Sequence, residues 1–505
     1  MPAPAHDSSD GLTAALLPPA GSGDGREEMG VDEMLQRFAG EFGRWQFRQF
    51  LFTSLAWVLC AFQIVVVVFA DREPALPGTC PAAVKPVKWP RSTAEEWGLI
   101  CGKRYKLGLA QSAFFAGSMA GAAFFGHLSD SFLGRKGVLT LTTGLLTAFT
   151  LLTALSPSFW FYAAARFFTG LSTGGLGLTA FILATEPVGP SFRAAAAMST
   201  FHFFSLGAIS LSLADTFIFS WRGLYAAISL LSLLFLLSAF SFISESPRWH
   251  LVRRKNSSAM AVMRAIAKAN GSSIPDRASL SLADGSGGPT SSIVDVLRSP
   301  VTRHRLTLAF LINLLISVAY YGLTLNAGNL GGDLHAGVIL NAAAEMPAYA
   351  LTAVALRCHG RRLMGVGTMW LCGAFCAAGG LFACGDVSWA SSLPAARMGC
   401  SVAAIFAVAA TYNLLYIYTA ELFPTAVRNA ALGCVSLAGQ LGAVAAPAVV
   451  AAGGRWPFAV FVGCTAVAGG LGWYLPETHR RPFYETLAGM EGGEGVKEEA
   501  GEAAA

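Results

Sequence analysis

Few residues in this chain are spaced for covalent or metal chemistry. Ten cysteines are spread over 505 residues with no Cys-x-x-Cys pair and no His/Cys spacing suited to zinc. No phosphate-binding glycine loop and no nucleophile with its base stand out. Enzyme chemistry, ATP-driven work, a cofactor and a metal are therefore not expected. What remains is a set of paired charges. Asp130 precedes Arg135; Glu186 precedes Arg193; Glu421 precedes Arg428; Glu245-Ser-Pro-Arg248 and Glu477-Thr-His-Arg480 repeat the theme. Acid and base at such spacings form ion pairs that close and open, which is the chemistry of a switch. A second set lies inside apolar runs: Gln63, His202, Asp215, Asn313, Asn326, Asn329, Asn341, Glu345, Asn413 and Gln440. Polar groups there are costly and face a cavity or a partner, so they point to ligand recognition.

These residues need a membrane scaffold to position them. Hydrophobic residues make up 54% of the chain and charged residues 13%, with mean hydropathy +0.53. A soluble domain is about one-quarter charged. The net charge of +5 fits basic cytoplasmic loops and not nucleic-acid binding. Twelve apolar runs, near 51–70, 105–126, 137–156, 159–185, 195–219, 222–243, 306–326, 335–356, 363–384, 394–419, 429–451 and 457–475, approach the ~20-residue crossing length. In lipid they must be helices. Arg135 and Lys136 place the turn after the second run in the cytoplasm.

This topology divides the chain. Residues 1–50 form a cytosolic tail, expected to be disordered over 1–29 and an interfacial lead-in over Val31–Gln49. Residues 51–243 form a first six-helix half, with 71–104 as its outer loop. Residues 244–305 form a cytosolic connection whose centre, Asn270–Ser292, is Gly/Ser-rich and expected to be flexible. Residues 306–475 form the second half, and 476–505 a cytosolic tail. Cys80 and Cys101 are the two cysteines of the outer loop and are expected to pair in that oxidising compartment. The sequons at Asn256 and Asn270 are expected to stay unused on the cytosolic side.

The charge pairs also reveal a repeat. Arg135 and Arg361, Glu186 and Glu421, and Glu245 and Glu477 recur about 230 residues apart. Two parallel six-helix halves follow, with a substrate site near the midplane between them. The predicted cytoplasmic gate comprises Asp130, Arg135, Arg166, Glu186, Arg193, Glu245, Arg248, Glu421 and Arg428. The second copy, Arg357-Cys-His-Gly-Arg361, carries no acid where the counterpart of Asp130 would stand.

Gly126-His-Leu-Ser-Asp130 with Gly134-Arg-Lys136 resembles the cytoplasmic signature of the major facilitator superfamily. Trp97-Gly-Leu-Ile-Cys101, Glu245-Ser-Pro-Arg-Trp249, Glu345-Met-Pro347, Glu421-Leu-Phe-Pro-Thr-Ala-Val-Arg428 and Pro476-Glu-Thr478 extend the likeness. Together they resemble the plant-type organic cation/carnitine transporters of that superfamily. The resemblance implies an all-α major facilitator fold of twelve transmembrane helices. It further implies a monomeric multi-pass carrier of the plasma or vacuolar membrane. The cargo it implies is a small organic cation or zwitterion, carnitine- or polyamine-like. Phe204 and Tyr320 match aromatic cage positions, and Asn413, beside Tyr412, matches a span-ten amide. Gln440, seven residues before Pro447, stands where relatives place a charge-selecting residue. Glu345 would attract a cation or carry a proton, and His202 is a second candidate for proton coupling. A proton-coupled sugar or inorganic-ion symporter is the alternative within transport. A transporter-like membrane sensor without turnover is the alternative outside it.

Overall fold

Apolar sequence supplies the crossing length, and backbone self-satisfaction makes each run a helix. The computed structural model describes residues 27–72, 90–281, 293–329, 333–382 and 394–479, together with Met490. The first half contains α1 (Arg44–Ala70), α2 (Tyr105–Asp130), α3 (Gly134–Ala154), α4 (Phe159–Thr185), α5 (Pro190–Asp215) and α6 (Trp221–Phe242). The second contains α7 (Pro300–Leu325), α8 (Leu334–Cys358), α9 (Arg361–Leu381), α10 (Pro394–Leu422), α11 (Thr425–Ala451) and α12 (Trp456–Gly472). Among the described residues, eleven helices are long and apolar enough to cross a membrane. The twelfth, α12, has 17 residues, about 25 Å of helix, at the short end of the crossing range. One apolar core is built mainly from the first half and takes in Leu325, Ala327, Val338, Ala342 and Ala443 of the second, and another lies within the second half.

Helix α1 begins before the apolar run, at Arg44. Gln46 explains the early start. Its amide accepts from Gly43 N at 3.0 Å and donates to Gly40 O at 2.7 Å. Gln49 exchanges both its amide bonds with the Ser244 backbone, at 2.9 and 3.0 Å. The predicted lead-in over Val31–Gln49 is thus divided between this extension and a small separate unit.

That unit is a correction to the reading from composition. Glu27–Met29 forms a strand paired in parallel with Ala278–Leu280, and Asn256–Ala269 forms a helix. Met29, Met34, Leu35, Met263, Ile266 and Leu280 bury a small core between them. The polar average of these stretches conceals a few apolar side chains that meet only across the sequence. Asn270 closes the unit: its amide donates to Ala39 O and to Gln46 Oε1, both at 2.8 Å, and accepts from Trp45 N at 3.2 Å. Residues 1–26 and 282–292 lie outside the described residues. In the outer loop Cys101 is disulfide-bonded; Cys80, its expected partner, also lies outside the described residues.

Close packing explains the glycines of α4. Gly117 and Gly121 on α2 face the backbone of Phe167 and Leu171 on α4, while Gly170 and Gly174 face the backbone of Phe114 and Ser118. A Cβ at any of the four would overlap a carbonyl oxygen, so the two backbones touch directly. Between the halves, α2 packs on α11 and α5 on α8. Ser112 on α2 donates to Val444 O at 2.8 Å, and Gly108 lies against Pro447 and Ala451. The two halves therefore touch directly along this part of α2 and α11.

Candidate functional site

A buried carboxylate stands where the halves meet. Glu345 lies on α8, about 17 Å along the helix from its outer end, and is 3% exposed. Asn341, Glu345 and Tyr349 follow one another at i, i+4 and share one helix face. Pro347 inside α8 removes one backbone hydrogen bond beside them. Three hydroxyls donate to the carboxylate: Ser205 of α5 at 3.1 Å, Tyr320 of α7 at 3.1 Å and Tyr349 at 3.4 Å. Ser205 belongs to the first half and the tyrosines to the second, so Glu345 bridges them. Tyr320 stacks on Tyr412 of α10 with centroids 5.0 Å apart, and Tyr321 meets Phe115 of α2 at 5.0 Å. His202 stands edge-on to Tyr349 at 5.8 Å.

The other sequence-predicted residues gather around this point to different degrees. Phe204 is buried next to Ser205. Asn413 and Asn341 are buried with no hydrogen-bond partner for either end of their amides. Buried amides without protein partners are what a polar ligand would satisfy. Gln440 is half-buried on α11, directly after Gly439, which lies under Ser317 and Tyr412. Asn313 instead turns back on its own helix, donating to Ala309 O at 2.8 Å.

At the ends of the helices where Arg135 and Arg361 stand, the two halves repeat one arrangement. Arg135 pairs with Asp130 at 3.0 Å and Glu186 at 3.5 Å. Glu245 accepts from the first backbone amides of α3, Arg135 N at 3.0 Å and Lys136 N at 3.1 Å. In the second half Arg361 pairs with Glu421 at 3.0 Å, and Glu477 accepts from Arg361 N at 2.8 Å and Arg362 N at 3.1 Å. A carboxylate at a helix N-terminus meets free amides and the positive end of the helix dipole. Gly134 and Gly360 leave room for these carboxylates; any side chain there would overlap them. Burial holds the Glu245 carboxyl above its ordinary range against three backbone amides. Burial also pulls Glu477 upward, but four backbone amides outweigh it and hold that carboxyl below the range. The second half has no acid in the place of Asp130, and there Arg361 contacts the His479 ring nitrogen instead.

Three predicted pairings differ. Arg193 meets Asp32 and not Glu186, and Arg248 meets Asp32 while also donating to Glu186 O at 3.2 Å. Glu421 meets Arg361 and not Arg428, which sits in the first turn of α11. Arg166 is apart from the gate altogether. It lies in the outer part of α4, roughly 28 Å of helix from Thr185, and is fully buried. There it donates to Gln63 O at 2.9 Å and Gln111 Oε1 at 2.7 Å, with its guanidinium 4.3 Å from the Phe114 ring. Ser205, Tyr349 and Asp32 were not anticipated from sequence as members of either cluster, while Arg361 and Glu477 were matched to Arg135 and Glu245 by the repeat but not assigned to the gate. The i+4 spacing from Glu345 was a signal for Tyr349, and the repeat itself for Arg361. Nothing local marked Ser205 or Asp32.

Comparison with known proteins agrees with this geometry. The family model for sugar (and other) transporters matches residues 79–488. The chain is 49% identical to organic cation/carnitine transporter 4 of Arabidopsis thaliana, over 94% of this chain and 93% of that protein. It is 33% identical to an organic cation transporter-like protein of Drosophila melanogaster, over 80% and 73% of the two chains. Among solved structures, the inward-open xylose transporter of E. coli superposes with a TM-score of 0.63 at 15% identity, covering 88% of this chain and 99% of that one. That likeness reports the fold, twelve helices in two six-helix halves. The chain belongs to the organic cation/carnitine transporter family of the major facilitator superfamily.

Proposed function

We propose that the chain carries small organic cations or zwitterions across the plasma or vacuolar membrane by alternating access, as a monomer. The observation that carries this reading is Glu345. It is a buried acid shared by both halves, with the stacked Tyr320 and Tyr412 rings beside its tyrosine donor. Its negative charge selects cations, and each aromatic face adds about 0.5–2 kcal/mol for a cation lying over it. The open amides of Asn341 and Asn413 suit the polar end of a zwitterion. Proton coupling at the same carboxyl is a second reading, favoured because its partners are all neutral hydroxyls. The test is uptake by purified protein in vesicles, across labelled cations, carnitine, sugars and anions, with a pH gradient imposed or collapsed. Cation or zwitterion uptake with no sugar uptake is the expected result; sugar uptake alone would overturn the assignment.

The cytoplasmic pairs serve as the gate in this reading. Arg135 with Glu186, and Arg361 with Glu421, brace the ends that must meet when the inner side closes. Glu421→Ala and Arg428→Ala are each expected to slow turnover while leaving substrate affinity within a few-fold, since they act on the balance of states and not on the site. Binding assays on the folded variants check this. Loss of binding itself in either variant would place the residue in the site.

A further inference from the structure

At the end of the bundle remote from Arg135 and Arg361 lies a cavity of about 400 Å³, within the size range of small-molecule sites. Neither Glu345 nor any of its three hydroxyl donors is among the described residues that line it. Both halves build it. Asp71 and Arg72 follow α1, Arg104 directly precedes α2, and Leu334 and Pro447 come from α8 and α11. Leu107 and Gln111 stand four residues apart on one face of α2. Gln111 is about 10 Å further along the chain of α2 than Arg104. The cavity thus has ionic groups toward one end, an amide toward the other and apolar side chains between them.

The charges do not balance. Asp71 is buried, and its Oδ1 already accepts from Thr93 at 2.6 Å and Tyr162 at 3.0 Å. Behind the wall, Asp215 stands 3.6 Å from Arg72, and Arg166 donates to Gln111 Oε1 at 2.7 Å. The wall and the groups directly behind it therefore hold three guanidiniums against two carboxylates. Asp333 does not line the cavity and is mostly exposed. Arg104 reaches across to the second half, where Gly453 makes room for it. Gly453 has φ +66°, and a Cβ there would overlap the guanidinium. A surplus positive charge between apolar walls is weakly screened and attracts anions. A guanidinium further matches the planar, two-oxygen geometry of a carboxylate.

We propose that this cavity is a second binding site, for a small organic carboxylate. Arg104, with Arg72 beside it, takes the carboxylate, and a short apolar body lies against Leu107, Leu334 and Pro447. A plain cation meets the surplus positive charge and is disfavoured. The carboxylate has two possible sources. One is a free monocarboxylic acid; the other is the acid end of a zwitterion, whose positive group then lies toward Asp71. The site goes beyond the reading of Glu345 and depends on no cargo there.

The experiment measures equilibrium binding of labelled butyrate and labelled glycine betaine to the purified full chain at low salt and pH 7. Arg104→Gln is expected to weaken binding about tenfold or more, and Arg104→Lys, which keeps the charge, by less. Leu107→Trp, which fills the space, is expected to weaken it at least as far as Arg104→Gln. That variant leaves every charge in place, so it tests the cavity even where Arg104→Gln is poorly expressed. Tetramethylammonium is expected not to displace butyrate. Binding of both probes with this dependence on Arg104 means that a free carboxylate suffices. Binding of betaine alone with the same dependence assigns the site to zwitterions. Binding of neither probe to the parent would overturn the proposal, as would binding that survives both Arg104→Gln and Leu107→Trp. Failure of cation uptake in the vesicle screen would leave these results standing.

Discussion

Glu345→Gln is expected to lower kcat/KM for a cationic substrate about 10- to 100-fold. The glutamine oxygen still accepts from Ser205 or a tyrosine hydroxyl, so the shape of the site survives while its charge does not. A full charge about 4 Å from a cation contributes about 4 kcal/mol at an effective dielectric near 20. Desolvation of the pair takes back part of that, and each ~1.4 kcal/mol remaining is tenfold. Ser205→Ala and Tyr349→Phe remove one donor each and should cost less. Concentration-dependent uptake by protein at matched expression is the measurement. Unchanged affinity in Glu345→Gln would mean that the carboxylate does not face the cargo. If the variant still exchanges cations but no longer accumulates them against a pH gradient, Glu345 serves the proton instead.

Charge preference should follow residue 440. Gln440→Asp is expected to shift the ratio of cation to anion transport about tenfold toward cations, and Gln440→Arg about as far the other way. The neutral amide is half-buried on α11, beside the glycine that underlies Ser317 and Tyr412. A new charge there meets weak screening, yet it also bears its own burial cost, so the shift stays below the bare Coulomb figure. Competition among matched cationic, zwitterionic and anionic substrates measures it. The same preference in all three proteins would show that residue 440 lies off the transport path.

Much of the fold was legible because lipid allows so few solutions. Length and hydropathy were enough to order twelve helices. The repeat located Arg361 and Glu477 beside their partners in principle, but the missing acid near Arg357 obscured the match. What no local pattern encodes is which helix faces which. Ser205 reaches Glu345 across the boundary between halves, and Asp32 reaches Arg193 and Arg248 from the far end of the chain. Arg166 was misplaced for a related reason. Its charge resembles those of the gate, but its depth depends on the direction in which α4 runs. The small separate unit was unreadable because composition averages over stretches whose few apolar residues find one another only in the folded chain.

The strand formed by Glu27–Met29 has a consequence for synthesis. Its partner, Ala278–Leu280, leaves the ribosome about 250 residues later, which at 5–20 residues per second is roughly 10–50 s of translation. Throughout that interval six helices enter the membrane while Asp32 waits for Arg248, and Met34 and Leu35 wait for the helix Asn256–Ala269. The amino-terminal segment thus records, by pairing or not, whether the first half has been made in full. A nascent chain stalled before residue 278 would present an unpaired strand to the cytosol, and one released after it would not.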